Sequence, residues 1–157
     1  MKRTIMKNVP WVEDTLRRMT VEEKAGQVLF PRIYGWFLGA EDETFLEYVR
    51  WVEQFHVGGL EMFFGDVYGA ANLLNGLQAR AGVPLLVSCD AETGMAHRIA
   101  GTTHLTHNMG LGASRNPRIA YDQGRITAEE GTALGVHLLE GPTLDVNTDP
   151  RNPIIPV

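Results

Sequence analysis

Two hydrophobic periods alternate along the chain. In "MTVEEKAGQVLF", Thr20 stands three residues before Glu23, a capping box that predicts a helix over 21–27 running into a strand over 28–33. In the next segment Phe45, Val49, Val52 and Phe55 recur at helical spacing behind a cluster of acids, and Gly58 is expected to end that helix. "GLEMFFGD" is a short aromatic strand closing on Asp66. "VYGAANLLNGLQARAG" returns to the helical period, with Ala70, Leu73, Leu74 and Leu77 on one face and Gly82 placed to cap its end. A strand over 83–89 follows, then a glycine-punctuated stretch over 91–115 with no clear period, expected to be a long loop. Helix resumes with Asn116 as cap, Pro117 in the first turn and Gly135 at the end. "VHLLEGPTLDVN" reads as a strand region interrupted at Gly141–Pro142, ending on Asp145 and a proline-rich tail.

The order is a helix, then β-α-β-α-β-loop-α-β. Strands alternating with helices argue for an α/β fold with a parallel sheet, here about four strands. No linker or low-complexity tract divides the chain, so residues 1–157 are expected to form one unit, with 1–19 as an N-terminal lead-in. At 157 residues such a unit can bury about 70% of its unfolded surface.

Composition narrows the function classes. A net charge of −5 with interspersed signs offers no basic stripe for nucleic acid. The one cysteine, Cys89, can make no internal disulfide, which fits a reducing compartment or a chain with no need of staples. The basic start lacks the apolar core of a secretory signal, and no segment approaches the roughly 20 apolar residues of a membrane span. A cytoplasmic chain without membrane contact is the expectation.

Candidate chemistry sits at strand ends. Asp66, Asp90 and Asp145 each follow a predicted strand, and ligands of parallel α/β folds bind beyond the carboxyl ends of strands. A single such acid is more often a solvated turn residue. In "VPLLVSCDAETGMAHRIAG", however, Asp90 is followed by Glu92 and then by Arg98 eight residues on, the makings of a charged pair at a loop mouth.

The motifs "MTVEEKAGQVLF", "VGGLEMFFGD", "LLNGLQARAGVPLLVSCDAETGMAHRI", "TTHLTHNMGLGAS", "AYDQGRITAEEGTALGV" and "GPTLDVNTDPRNPII", in this order, resemble the amino-terminal domain of glycoside hydrolase family 3. The tail "DVNTDPRNPII" is more similar to the β-N-acetylglucosaminidase branch than to the β-glucosidases. The resemblance implies the first portion of a TIM (β/α)8 barrel and hydrolysis, with retention, of a terminal β-linked N-acetylglucosamine or glucose. It assigns Asp90 and Arg98 to sugar binding, with Glu92 and Asp145 as supporting residues, and it implies a carbohydrate partner and no cofactor.

The family's nucleophile and its acid/base group would come from later segments, so no catalytic residue is assigned within these 157 positions. A barrel needs about 250 residues. A partial one exposes strand edges, so the remaining part of the barrel or a second copy is expected to cover them. The alternative is a non-catalytic carbohydrate-binding or self-associating half-barrel. Three departures from the family pattern stand out: Thr93–Gly94 in place of two glycines, Glu140–Gly141–Pro142 where an aromatic precedes Ala-Pro, and Pro156 in the tail.

Other signals have plainer readings. His97, His104 and His107 share one loop but lack a complete ligand set, so no metal is expected. "GLGAS" lacks the third glycine of a dinucleotide fingerprint, and Ser114 has no nucleophile elbow. Trp11, Trp36 and Trp51 are expected to pack or dock rather than stack on sugar. His56 and His137 are read as helix-end and strand residues.

Overall fold

The structure, a computed structural model, describes residues 9–149 and 151–155; the N-terminal part of the lead-in and Pro156 lie outside them. Helices α1 (Pro10–Arg18) and α2 (Val21–Gly26) precede strand β1 (Arg32–Gly35). Then come α3 (Glu43–Glu53), β2 (Gly59–Asp66), α4 (Val67–Gln78) and β3 (Leu86–Asp90). A 3-10 turn (Met95–His97), β4 (Ile99–Ala100), α5 (Asn108–Ser114), α6 (Pro117–Ala133) and β5 (Leu138–Glu140) complete the order. The sheet runs β1-β2-β3-β5 with every pair parallel, and the two-residue β4 adds to the end of β2.

Local signals explain most boundaries. Thr20 and Glu23 form the reciprocal capping box, and Asn116 accepts from the Arg118 amide at the start of α6. Gly135, at φ +81°, ends that helix in the left-handed region. The first strand starts later than expected because Val28 and Leu29 donate back to Ala25 and Gly26 in a turn, and Pro31 has no amide to give. The third is displaced likewise, starting after Pro84. Gly58 does not end α3: the left-handed residue there is His56, and Gly58 instead lets the backbone of Gln27 approach. Gly82 is not the cap of α4, whose C-cap is Ala79. The stretch 91–115 is no plain loop, since it contains the 3-10 turn, β4 and α5. The lead-in holds a helix, α1.

One face of the sheet is covered. Ile33, Leu60, Met62, Val87 and Cys89 pack against Tyr48 and Val52 of α3, Ala70, Leu73, Leu74 and Leu77 of α4, and Val136. Strand alternation sends the intervening residues to the other face: Arg32 in register with Glu61, Glu61 with Ser88, Ser88 with Leu138, and Asp90 with Glu140. That face is open, and Leu86 and Leu138 keep 52% and 53% of their surface exposed on it. Glu140, the acid that departs from the family pattern, is exposed there and bears no burial cost. Trp51 packs against the core, at 5.0 Å from the Tyr48 ring, while Trp11 and Trp36 remain about half exposed.

Candidate functional site

The three strand-end acids have three different fates. Asp66 accepts from the amides of Tyr68 and Gly69, both at Oδ1, so it is the N-cap of α4 and is held to the helix start. Asp145 is exposed and lies beyond the Gly141–Pro142 cis peptide, because β5 stops at Glu140. Asp90 alone ends its strand with a carboxylate turned to another charged side chain.

The chain between Asp90 and Arg98 explains their spacing. After β3 the backbone turns at Gly94, where φ is +84° and an added Cβ would lie 2.5 Å from the Thr103 carbonyl oxygen, so only glycine fits. The fully buried Met95 anchors the 3-10 turn, and Arg98 accepts from the Gly65 amide at 3.0 Å with its carbonyl. That bond lays β4 beside the end of β2 and returns the Arg98 side chain to Asp90. A guanidinium nitrogen, Nη2, donates to Asp90 Oδ2. The two side chains keep only 13% and 25% exposure. Burial at that level leaves the pair short of water, so its charges interact strongly.

Neighbours set the electrostatics. His97 Nε2 lies 4.0 Å from Asp90 Oδ2, and its Nδ1 is 3.3 Å from the hydroxyl of buried Thr93. Burial, and then the Arg98 charge, hold the His97 pKa below the usual histidine value against the pull of Asp90 and Glu92. Glu92 accepts from the Thr143 hydroxyl and so ties the β3 loop to the segment after β5. Gln123 of α6 braces the same loop through the Glu92 carbonyl at 3.4 Å and the Thr106 carbonyl at 3.0 Å. A cavity of about 530 Å³ adjoins this loop, lined among others by Glu92, Asn108, Leu111, Gln123 and Leu139. Cys89, next to Asp90, is fully buried, and burial pushes its thiol up to about 12, so it is inert.

The loop histidines are not gathered as a group. The side chains whose ligand atoms converge, within 4.8 Å of one another, are Asp90, Glu92 and His97. A cation there would lie beside the Arg98 guanidinium, whose charge already neutralises Asp90, so the donor set suits hydroxyl groups better than a metal. His137 is structural, accepting the Val87 amide at its Nδ1 and donating its own amide to Val87. Ser114 is likewise spent on the Leu111 carbonyl.

The sequence reading missed the floor of the site. Phe63 and Phe64 lie beneath Arg98, whose guanidinium carbon is 4.1 Å from the first ring centroid and 4.9 Å from the second. Arg32 lies over Phe63 as well, at 3.8 Å, and is itself held by Glu61 through contacts of 3.0 and 3.1 Å. The signal was present: charged or aromatic residues at alternate positions of "RIYG" and "GLEMFFGD" mark a face that is not buried core.

Comparison with known proteins bears on the fold that carries this site. The model of the glycosyl hydrolase family 3 N-terminal domain matches residues 20–156. A β-N-acetylglucosaminidase/β-glucosidase of Cellulomonas fimi is 31% identical over 146 residues, 93% of this chain and 25% of that protein. A probable β-glucosidase C of Aspergillus flavus is 28% identical over 157 aligned residues, 89% of this chain and 25% of that protein. Among solved structures, a β-glucoside phosphorylase, BglX, bound to 2FGlc, superposes with a TM-score of 0.79 at 26% identity, covering 93% of this chain and 25% of that one. The chain therefore spans about a quarter of the length of the curated relatives it matches.

Proposed function

The chain belongs to glycosyl hydrolase family 3, as a portion of its N-terminal domain, and from that premise we propose that Asp90 and Arg98 hold a terminal β-linked sugar, N-acetylglucosamine or glucose, for retaining hydrolysis. The observation that carries this reading is the Asp90–Arg98 pair at the carboxyl end of β3, half-sheltered beside the open face of the sheet. A carboxylate accepts from two neighbouring hydroxyls at once, and a guanidinium donates to a ring or hydroxyl oxygen. Such charge-assisted bonds are roughly twice as strong as neutral ones. Glu92 keeps the loop in place through Thr143, and Asp145 belongs to the segment that follows.

The reacting groups come from outside these residues. Asp90 and Glu92 approach within 4.8 Å, near the roughly 5–5.5 Å of a retaining pair. They are nonetheless two residues apart on one loop, so they cannot flank a glycosidic bond from opposite sides, and each is engaged by Arg98 or Thr143. This chain binds and orients, and cleavage needs a nucleophile and an acid/base that it does not contribute. The open face supports a second, compatible reading. Leu86 and Leu138 are half exposed on it, and the remainder of the barrel, or a second copy of the chain, covers them.

Saturation-transfer NMR with N-acetylglucosamine and with glucose tests the site. The wild-type chain is expected to give a signal that Asp90→Ala abolishes, and no turnover of a chromogenic N-acetylglucosaminide or glucoside. Equal signal in the variant would overturn the sugar site, and turnover lost in Asp90→Ala would overturn the assignment of a binding role alone.

A further inference from the structure

We propose that Phe63 is a positioning residue for Arg98: its ring, more than the carboxylate, fixes the plane in which the guanidinium meets the sugar. The proposal rests on Arg98 being a sugar ligand. The Asp90 contact runs through a single nitrogen, Nη2, and one bond leaves a planar group free to swing about it. A second bond at Nε would stop that motion, yet Arg98 Nε is buried and finds no partner. What remains to hold the plane is the Phe63 ring at 4.1 Å, with Phe64 at 4.9 Å. A cation is drawn to the face of such a ring by its quadrupole, more so out of water.

Phe63 is itself held firmly enough to act as a reference surface. Phe64 packs edge-on against it with centroids 4.7 Å apart, and Tyr34 meets it edge-on at 6.3 Å. Arg32 lies over the same ring, fixed by its fork-like contacts to Glu61. Glu61, Arg32, Phe63, Arg98 and Asp90 thus form a chain of contacts across β1, β2 and the β3 loop. Each cation has its own carboxylate and both share one ring. A leucine at position 63 would keep apolar volume and lose the quadrupole; a tyrosine would keep the ring.

Two measurements test this on the full chain. The first follows the Arg98 Nε–H resonance by NMR, assigned by its loss in Arg98→Lys. In the wild type it is expected well upfield of a free arginine through the ring current and in slow exchange; in Phe63→Leu it returns to the free position. The second is affinity for N-acetylglucosamine and glucose. Phe63→Leu is expected to weaken the better-bound sugar about tenfold, while Phe63→Tyr stays within about twofold of wild type. A wild-type Nε–H at the free-arginine position overturns the proposal without any variant, as does unchanged affinity in Phe63→Leu. A wild type that binds neither sugar refutes the sugar-site reading, and the resonance still decides whether Phe63 sets Arg98.

Discussion

The most direct check on the site is a double-mutant cycle on its charged pair. Arg98→Met keeps much of the apolar stem and removes the charge; Asp90→Asn keeps the shape and a carbonyl acceptor. At a contact of about 3 Å and an effective dielectric near 20, the gross attraction of two unit charges is about 5 kcal/mol. Desolvation offsets a large part of it. Exposed pairs retain about 0–1 kcal/mol, whereas stripping one partner from a buried pair costs about 3–5. Exposures of 13% for Arg98 and 25% for Asp90 put this pair between those limits. Arg98→Met should therefore cost about 2–3 kcal/mol, including about 0.5–1 from the lost stacking on Phe63. Asp90→Asn should cost about 1–2, and the coupling should be about 1.5 kcal/mol. For a domain of this size that moves the melting temperature of Arg98→Met down by roughly 5–10 °C. Urea unfolding followed by circular dichroism on the wild type, both single variants and the double variant gives the coupling. A value below about 0.5 kcal/mol, or one that vanishes in 1 M salt, would show a solvated surface pair and refute the sheltered site.

Other outcomes follow from single contacts. Gly58→Ala should destabilise by at least about 3 kcal/mol, because its Cβ would lie 2.0 Å from the Gln27 carbonyl oxygen; Gly124→Ala, inside α6 with nothing within 4 Å, should stabilise by about 0.5–1 kcal/mol. Urea midpoints of the two variants separate these cases. His97 is held below its ordinary pKa, so the unfolded chain binds its proton first; stability should be constant above the ordinary histidine range and fall as pH drops through it toward the lowered value. In His97→Gln that part of the decline should disappear from urea midpoints taken between about pH 7.5 and 5. Replacing Leu86 and Leu138 by lysine should remove concentration-dependent association in sedimentation velocity while leaving the melting temperature within a few degrees, since neither side chain packs in the core.

Legibility in the sequence followed the range of the contacts that decide each feature. β2 was readable to its last residue because a glycine pair opens it and the N-cap Asp66 closes it, both local signals. The buried face of α4 was readable because Ala70, Leu73, Leu74 and Leu77 need only one helix to align. The first and third strands shifted because Pro31 and Pro84 withhold a donor inside runs whose hydrophobicity alone looks continuous. Residues 91–115 carried no period because their order comes from scattered anchors: Met95 in the core, Glu130 receiving the Thr103 amide, and the Gln123 side-chain amide donating to two carbonyls. Asp90 and Arg98 were legible as a pair eight residues apart. The ring beneath them was not, since Phe63 reaches Arg98 only through the register of β2 and β4.

The same argument explains why a row of acids at strand ends is a weak guide until each one's partners are known. A carboxylate followed at once by a helix is drawn to the free amides of its first turn, and Asp66 is satisfied there at 2.9 Å twice over. Asp90 has no helix behind it. The turn at Gly94 and the 3-10 turn carry the chain away before any amides can converge on it, so its counter-charge must arrive from farther along, on a strand that comes back beside β2. Glu140, in register with Asp90, meets the same absence of a following helix and stays exposed on the open face. A strand-end acid is thus free for a ligand when the backbone after it denies it a cap, and in this chain that condition picks out Asp90 over Asp66 before any sugar is considered.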